Sequence, residues 1–192
     1  RVKNNMQVIS SLLDLQAGNI KDAQVRELFR ESRNRIKSMA LIHERLYQSQ
    51  DLAHINFAEY LQNLVNYIRQ SYGARAAAIT IQVQADPILL GVETAIPCGL
   101  IINELLSNVF KHAFPGNQAG TVWIELHADS ERGMSLVVRD NGIGLPPDVD
   151  FQRAKSLGLT IVSTLVKQLK GHIEVRRHAG TEYCITFAEP AV

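Results

Sequence analysis

The stretch Asn103-Glu104-Leu105-Leu106-Ser107-Asn108-Val109-Phe110-Lys111-His112 decides how this chain is to be read. Glu104, Asn108, Lys111 and His112 recur at helical spacing and share one face, while Ile101, Leu105, Leu106 and Val109 supply an apolar side. Solvation alone is a poor account of four polar positions on one stripe of a mostly apolar helix. That helix is predicted over 94–114; it tolerates Pro97 near its start, where a missing N–H does no harm, and Pro115-Gly116-Asn117 closes it.

Downstream, 122–128 and 135–140 read as strands with Glu131-Arg132-Gly133 in the turn between them. Arg139-Asp140-Asn141-Gly142-Ile143-Gly144 stands at the tip of the second strand, where Asp-x-Gly-x-Gly lets backbone pass close to a ligand beside a fixed carboxylate. A strand ending in Asp-Asn-Gly is also an ordinary turn. The acidic alternation of a calcium loop is missing, and loop rather than helix follows the glycines, unlike a dinucleotide fingerprint. A loop with two adjacent prolines spans about 142–156, and Ser156-Leu157-Gly158-Leu159 opens a helix reaching residue 169, whose first amides would face an anion. Strands at 172–177 and 182–188 follow, joined through Ala179-Gly180, with Gly180-Thr181 opening the last one. No phosphate loop of the form GxxxxGK[ST] occurs.

Upstream, Leu61, Leu64, Val65 and Ile68 mark a helix over 57–72, with Asn56 a candidate cap and Gly73 the stop; 51–56 reads as linker and 79–84 as a strand. Helix, strand, helix and a strand meander broken by one helix give an α+β fold, a mixed sheet covered by helices on one face. Residues 1–48 read as two helices broken at Gly18-Asn19. Val2, Met6, Ile9 and Leu13 line the first; Val25, Phe29, Ser32, Ile36, Met39, His43 and Leu46 form a heptad seam on the second, which calls for a helix partner. Arg26, Arg30, Arg33, Arg35 and Lys37 fall mostly off that seam and read as a solvated face. In an antiparallel hairpin Arg1 lies opposite Lys37 or Ser38, so Met39, His43 and Leu46 lack partners, and about ten further residues are expected before Arg1. The expected division is a hairpin over 1–50, N-terminally truncated, and a second domain over 51–192.

With 192 residues, 46% hydrophobic and 20% charged, the composition is globular, and a net charge of +1 gives no electrostatic case for nucleic acid or a membrane surface. No apolar run reaches the ~18 residues of a membrane span. Cys98 and Cys184 form no CxxC pair and read as buried thiols in a reducing compartment, which points to a cytoplasmic location. His54, His127, His172 and His178 show no metal-ligand spacing, His43 reads as packed on its seam, and Trp123 reads as packed on its strand.

The four clusters, in this order, resemble the N, G1 and G2 boxes and the closing Gly-Thr of the ATPase superfamily of histidine kinases, DNA gyrase, Hsp90 and MutL. Arg1-Val-Lys-Asn-Asn-Met-Gln-Val-Ile-Ser-Ser-Leu-Leu, together with Asn-Glu-Leu-Leu-x-Asn-x-x-Lys-His-Ala-Phe, Leu-Gly-Leu and Gly-Thr-Glu, is similar to one sensor histidine kinase subfamily across essentially the whole chain. The resemblance implies a dimerisation and histidine-phosphotransfer hairpin followed by an α/β-sandwich domain that binds ATP and Mg²⁺. On that basis Asn108 would coordinate Mg²⁺ through the ATP phosphates, and Glu104 would polarise the attacking group or hold a metal-bound water. Lys111 and His112 would face phosphate. Asp140 would accept the adenine amino group, with Thr181 supporting that end. Gly142, Gly144, Gly158 and Leu159 would frame a lid over the phosphates, with Lys155 and Arg153 as lid cations. Positioning and charge neutralisation are what phosphoryl transfer needs.

Two departures stand out: the G2 stretch holds one glycine and its lid is short, and the acceptor histidine, expected just before Arg1, is absent from the sequence. As given, the chain is expected to bind ATP without phosphorylating itself. The implied partners are a response-regulator receiver domain, an upstream sensor domain and a second copy through the hairpin. The rival readings are an anti-sigma-factor-like serine kinase, a gyrase-like ATPase and a pseudokinase scaffold. The hairpin argues against the first two, the intact Asn108, Asp140 and glycines against the third.

Overall fold

The computed structural model describes residues 2–48, 54–129, 133–146 and 156–188. Two helices, α1 (Val2–Gly18) and α2 (Ala23–Gln48), pack as an antiparallel hairpin. Asp22 starts α2: its carboxylate accepts from the amides of Gln24 at 2.7 Å and Val25 at 3.2 Å, so the helix begins at Ala23, past the Gly18-Asn19 break.

The expected seams shift. In α1, Met6, Ser10, Leu13 and Ala17 are partly covered, while Ile9 is 48% exposed. In α2, the deepest positions are Asn34, Ser38, Ala40 and Ile42, turned toward the rest of the molecule, and Val25 is exposed. The heptad reading assumed one partner for α2; it has several, packing on α1, on α3 (Phe57–Tyr72) and on α5 (Val92–Asn108). The solvated-face expectation holds for Arg26 and fails for the other cations. Arg30 lies 4.0 Å over the Tyr72 ring, Lys37 lies 5.9 Å from that of Tyr67, Arg33 bonds Asp14 at 2.6 Å, and Arg35 points at α5.

The expected linker is in part a strand: β1 (His54–Asn56) pairs antiparallel with β3 (Leu89–Gly91). Asn56 caps α3 through its side chain, accepting from the Glu59 amide at 3.2 Å, and Gly73, at φ 51°, ends it. A short turn α4 (Ala74–Ala77) leads to β2 (Ile79–Ala85). Tyr60 of α3 is fully buried and its hydroxyl donates to the Ser38 carbonyl of α2 at 3.3 Å. It gets there over Gly99, where a Cβ would stand 2.1 Å from the hydroxyl oxygen.

Beyond α5, β4 (Gly120–Asp129), β5 (Gly133–Asp140), α6 (Leu157–Gln168), β6 (His172–His178) and β7 (Gly180–Phe187) complete a five-stranded sheet of order β2-β4-β5-β7-β6. β2 and β4 run parallel and the other pairs antiparallel, so the sheet is mixed as expected. Helices cover one face. The strand period of two lines that face with Val122, Ile124 and Leu126, with Leu136 and Val138, and with Tyr183, Ile185 and Phe187. Against them stand Ile101, Ile102, Leu105 and Leu106 of α5, all with no exposed surface, each worth roughly 1.5–3 kcal/mol of transfer free energy. On the open face, Trp123 is stacked by Arg139 at 4.4 Å rather than packed in the core. Cys98 is buried; Cys184 is only half-buried.

Candidate functional site

Two rows of core-facing side chains end in polar groups. Met134, Leu136 and Val138 lead to Asp140, and Thr181 precedes Tyr183, Ile185 and Phe187 on the neighbouring strand. The strand period therefore carries a carboxylate and a hydroxyl into an otherwise apolar layer, where Asp140 is 4% exposed and Thr181 6%. The Gly142 amide donates to Asp140 Oδ1 at 2.8 Å. Burial pushes the Asp140 carboxyl above its ordinary value, opposed by the backbone amides of Gly142 and Thr181. Gly142 passes so close to α5's continuation that a Cβ there would lie 2.3 Å from the Ala113 carbonyl oxygen, and the next amide, Ile143, donates to that carbonyl at 2.9 Å. Residue 142 has to be glycine.

A pocket of about 390 Å³ opens above this pair. Leu105, Val109, Ile143, Leu159 and Tyr183 give it apolar walls, Asp140 and Thr181 line it from adjacent strands, and Asn108 and His112 line it from the α5 side. Gly144, Leu145, Pro146 and Ser156 complete the rim. Ser156 caps α6 by accepting from the Leu159 amide at 3.4 Å, so that amide already has a partner.

The expected stripe on α5 splits. The helix passes into a π turn over Val109–Ala113, a local irregularity that often accompanies function. Asn108 and His112 stay with the pocket, while Glu104 and Lys111 reach α2. Arg35 grips Glu104 with both arms, Nε to Oε1 at 2.6 Å and Nη2 to Oε2 at 2.7 Å, and Asn103 donates to Oε1 at 3.1 Å. Lys111 is paired with Glu31 and lies 3.7 Å from Glu27; Glu31 in turn lies 3.3 Å from Arg35. Glu104 is nonetheless at the pocket's edge: a Cβ on Gly158 would stand 3.1 Å from Glu104 Oε2 and 3.8 Å from Asn108 Oδ1. Burial and the Lys111 charge hold the His112 imidazole below its ordinary 6.5.

Asn108, His112, Asp140, Gly144, Leu159 and Thr181 thus come together around one pocket, with Gly142 bonded to Asp140 and Gly158 close to Glu104 and Asn108. Lys155 and Arg153 lie outside the described residues. Sequence reasoning missed the wall residues Leu105, Val109, Ile143 and Tyr183, whose types do not differ from core, and the α2 charges Glu27, Glu31 and Arg35. Their four-residue spacing was the available signal.

Residues 1–72 match the profile of a family described as histidine kinase, and residues 93–191 that of the histidine kinase-, DNA gyrase B- and HSP90-like ATPases. A sensor histidine kinase of Mycobacterium tuberculosis, PdtaS, is 36% identical over 95% of this chain and 36% of its own length. Blue-light-activated histidine kinase 2 of Erythrobacter litoralis is 31% identical over 92% of this chain and 51% of its own. The chain therefore spans about a third to a half of these relatives. Among solved structures, the histidine kinase domain of Erythrobacter litoralis EL346 superposes with a TM-score of 0.76 at 24% identity, covering 97% of this chain and 94% of that one. The longer EL346 structure gives 0.72 at 30% identity over 81% of this chain and 53% of that one.

Proposed function

Because the chain belongs to the sensor histidine kinase family and carries that family's ATP-binding domain, we propose that it is the ATP-dependent protein-histidine kinase core of a two-component system. In this reading the γ-phosphoryl group of ATP passes to a histidine expected immediately before Arg1, and from there to an aspartate of a response-regulator receiver domain. The hairpin over 1–50 is the dimerisation and histidine-phosphotransfer element, short of that acceptor, and 51–192 binds the nucleotide.

The observation that carries the reading is the buried Asp140 carboxylate lining a mostly apolar pocket, with Asn108 and His112 of the α5 side on the same pocket. A purine fits such a place: its ring is covered by Leu105, Val109, Ile143 and Leu159 while its amino group donates to Asp140, supported by Thr181. Beside Gly158, Asn108 Oδ1 and Glu104 Oε2 converge, a donor set of hard oxygens suited to Mg²⁺ or its bound water. Bound ATP and Mg²⁺ would supply the transferable phosphoryl group and the neutralisation of its charge. The chain's own residues do the rest. Asp140 and Thr181 orient the base. Gly142, Gly144, Gly158 and Leu159 shape the rim, to which Lys155 would add a cation. Lys111 and His112 offer positive or hydrogen-bonding groups to phosphate oxygens, and Glu104 orients the attacking group.

Val8, Ile9, Leu12, Leu15 and Leu28 leave an apolar stripe exposed on the hairpin, which supports pairing with a second copy as a four-helix bundle. Among the described residues no helix is long and apolar enough to cross a membrane. An upstream sensor and a cytoplasmic setting complete the reading.

Calorimetry with a non-hydrolysable ATP analogue, with and without Mg²⁺, tests it. Micromolar binding that Asp140→Asn weakens and Asn108→Asp uncouples from Mg²⁺ is the expected result. No binding at millimolar analogue would overturn it.

A further inference from the structure

Two of the side chains offered above to the phosphate end of the pocket are already occupied, and by charges of the sign opposite to their own. Lys111 is paired with Glu31 and approached by Glu27; Glu104 is gripped by Arg35. All three partners lie on α2, one turn apart along one face of the hairpin. A carboxylate beside Lys111 stands where a phosphate oxygen would have to come, and a guanidinium on Glu104 stands where a metal-bound water or an attacking group would have to be oriented. We propose that α2 is an internal competitor of the nucleotide: Glu31 and Arg35 hold the phosphate-end residues in a charge-satisfied state that phosphate and metal must displace.

This inference rests on the nucleotide reading of the pocket. The surrounding contacts fit it. On its α3 side, α2 is held by Arg30 over Tyr72, Lys37 near Tyr67 and the Asn34–Ser71 hydrogen bond at 2.9 Å, polar contacts of the kind that separate and re-form more readily than an apolar core. Arg30 Nε and Arg33 Nε are buried there with no hydrogen-bond partner among the described residues, so this interface is not fully satisfied as it stands. By thermodynamic linkage the competition runs both ways: nucleotide loosens the first half of α2 from α5 by the factor by which docked α2 weakens nucleotide binding, so weakening the α2 charges tightens nucleotide binding.

The test measures affinity for Mg²⁺ and a non-hydrolysable ATP analogue, alongside hydrogen exchange of the α2 amides at 27–38. Glu31→Gln and Glu27→Gln/Glu31→Gln are compared with Asp14→Asn, which changes the hairpin's charge by the same sign at a residue paired with Arg33 instead of Lys111. The expected result is affinity tightened about fivefold or more in the Glu31 variants, unchanged in Asp14→Asn, and nucleotide-induced faster exchange over 27–38 in the parent chain. Nucleotide bound with equal affinity by the parent and the Glu31 variants, or tightened equally by Asp14→Asn, or leaving α2 exchange unchanged, would overturn the competitor while leaving the pocket intact. Absence of binding in every protein would remove the nucleotide reading itself, and the competitor with it.

Discussion

The guanidinium of Arg35 and the carboxylate of Glu104 meet face to face through two hydrogen bonds of 2.6 and 2.7 Å, joining the hairpin to the helix that walls the pocket. Glu104 is 3% exposed, so the pair is desolvated and removing one member strands the other. Arg35→Met is expected to lower stability by about 3 kcal/mol, and Arg35→Met/Glu104→Leu to recover most of that, since a packed apolar pair needs no counter-charge. Urea unfolding of the two variants and the parent measures the difference; equal loss in both would show that the contact matters by shape rather than charge.

Asp140 carries a cost that its task explains. Its folded-state pKa is raised above the ordinary 3.8 by burial, so the folded chain binds this proton more tightly than the unfolded one. Below the ordinary value both states are protonated and nothing is lost. As pH rises from there through the raised pKa, the penalty of the buried charge builds up. Asp140→Asn should therefore be more stable than the parent at pH 7 and indistinguishable from it near pH 3, by thermal melts across that range. In the same protein the analogue should bind at least about tenfold more weakly, the loss of one charged hydrogen bond.

Gly142→Ala tests the turn that seats Asp140. A Cβ 2.3 Å from the Ala113 carbonyl forces backbone apart on both sides, at about 2 kcal/mol. The expected outcome is a lowered melting temperature with nucleotide affinity reduced even after correction for the folded fraction. Unchanged affinity would mean that the pocket accommodates the shift.

Leu15 is 70% exposed and Leu12 54% on the hairpin's open stripe. Leu12→Glu/Leu15→Glu is expected to convert a self-associating chain to monomer in sedimentation at micromolar concentration, with its circular dichroism unaltered. A parent chain that is already monomeric throughout that range would remove the four-helix pairing.

Much of this architecture was legible in the residues. The alternation in 122–128 and 135–140 produced strands in register, and the polar positions on α5 led to the pocket. What the sequence concealed was direction. Glu104 and Asn108 are four residues apart and a one-dimensional stripe merges them, yet one turns to α2 and the other to the pocket. Nor does periodicity announce a π turn, because Val109-Phe110-Lys111-His112-Ala113 carries no residue that breaks a helix. Ile9 and Ser10 illustrate the same limit: apolar type favoured Ile9 for the seam, but the crossing of α1 on α2 covers Ser10 and leaves Ile9 to solvent. The β1–β3 pair escaped notice because three-residue strands offer no period to read.

The Tyr60 hydroxyl on the Ser38 carbonyl, with Ile42 fully buried one turn further on, gives α2 a fulcrum. From Ser38, Arg35 lies about 4.5 Å along the helix axis and Glu31 about 10 Å. A tilt on the order of 10° about that point would carry Glu31 roughly 2 Å but Arg35 less than about 1 Å, by the same helical rise. The two clasps of this lever therefore open in sequence. On such a tilt Lys111 would come free while Glu104 was still held, and a nucleotide entering the pocket would meet a cation first and a carboxylate only after the arm had swung further.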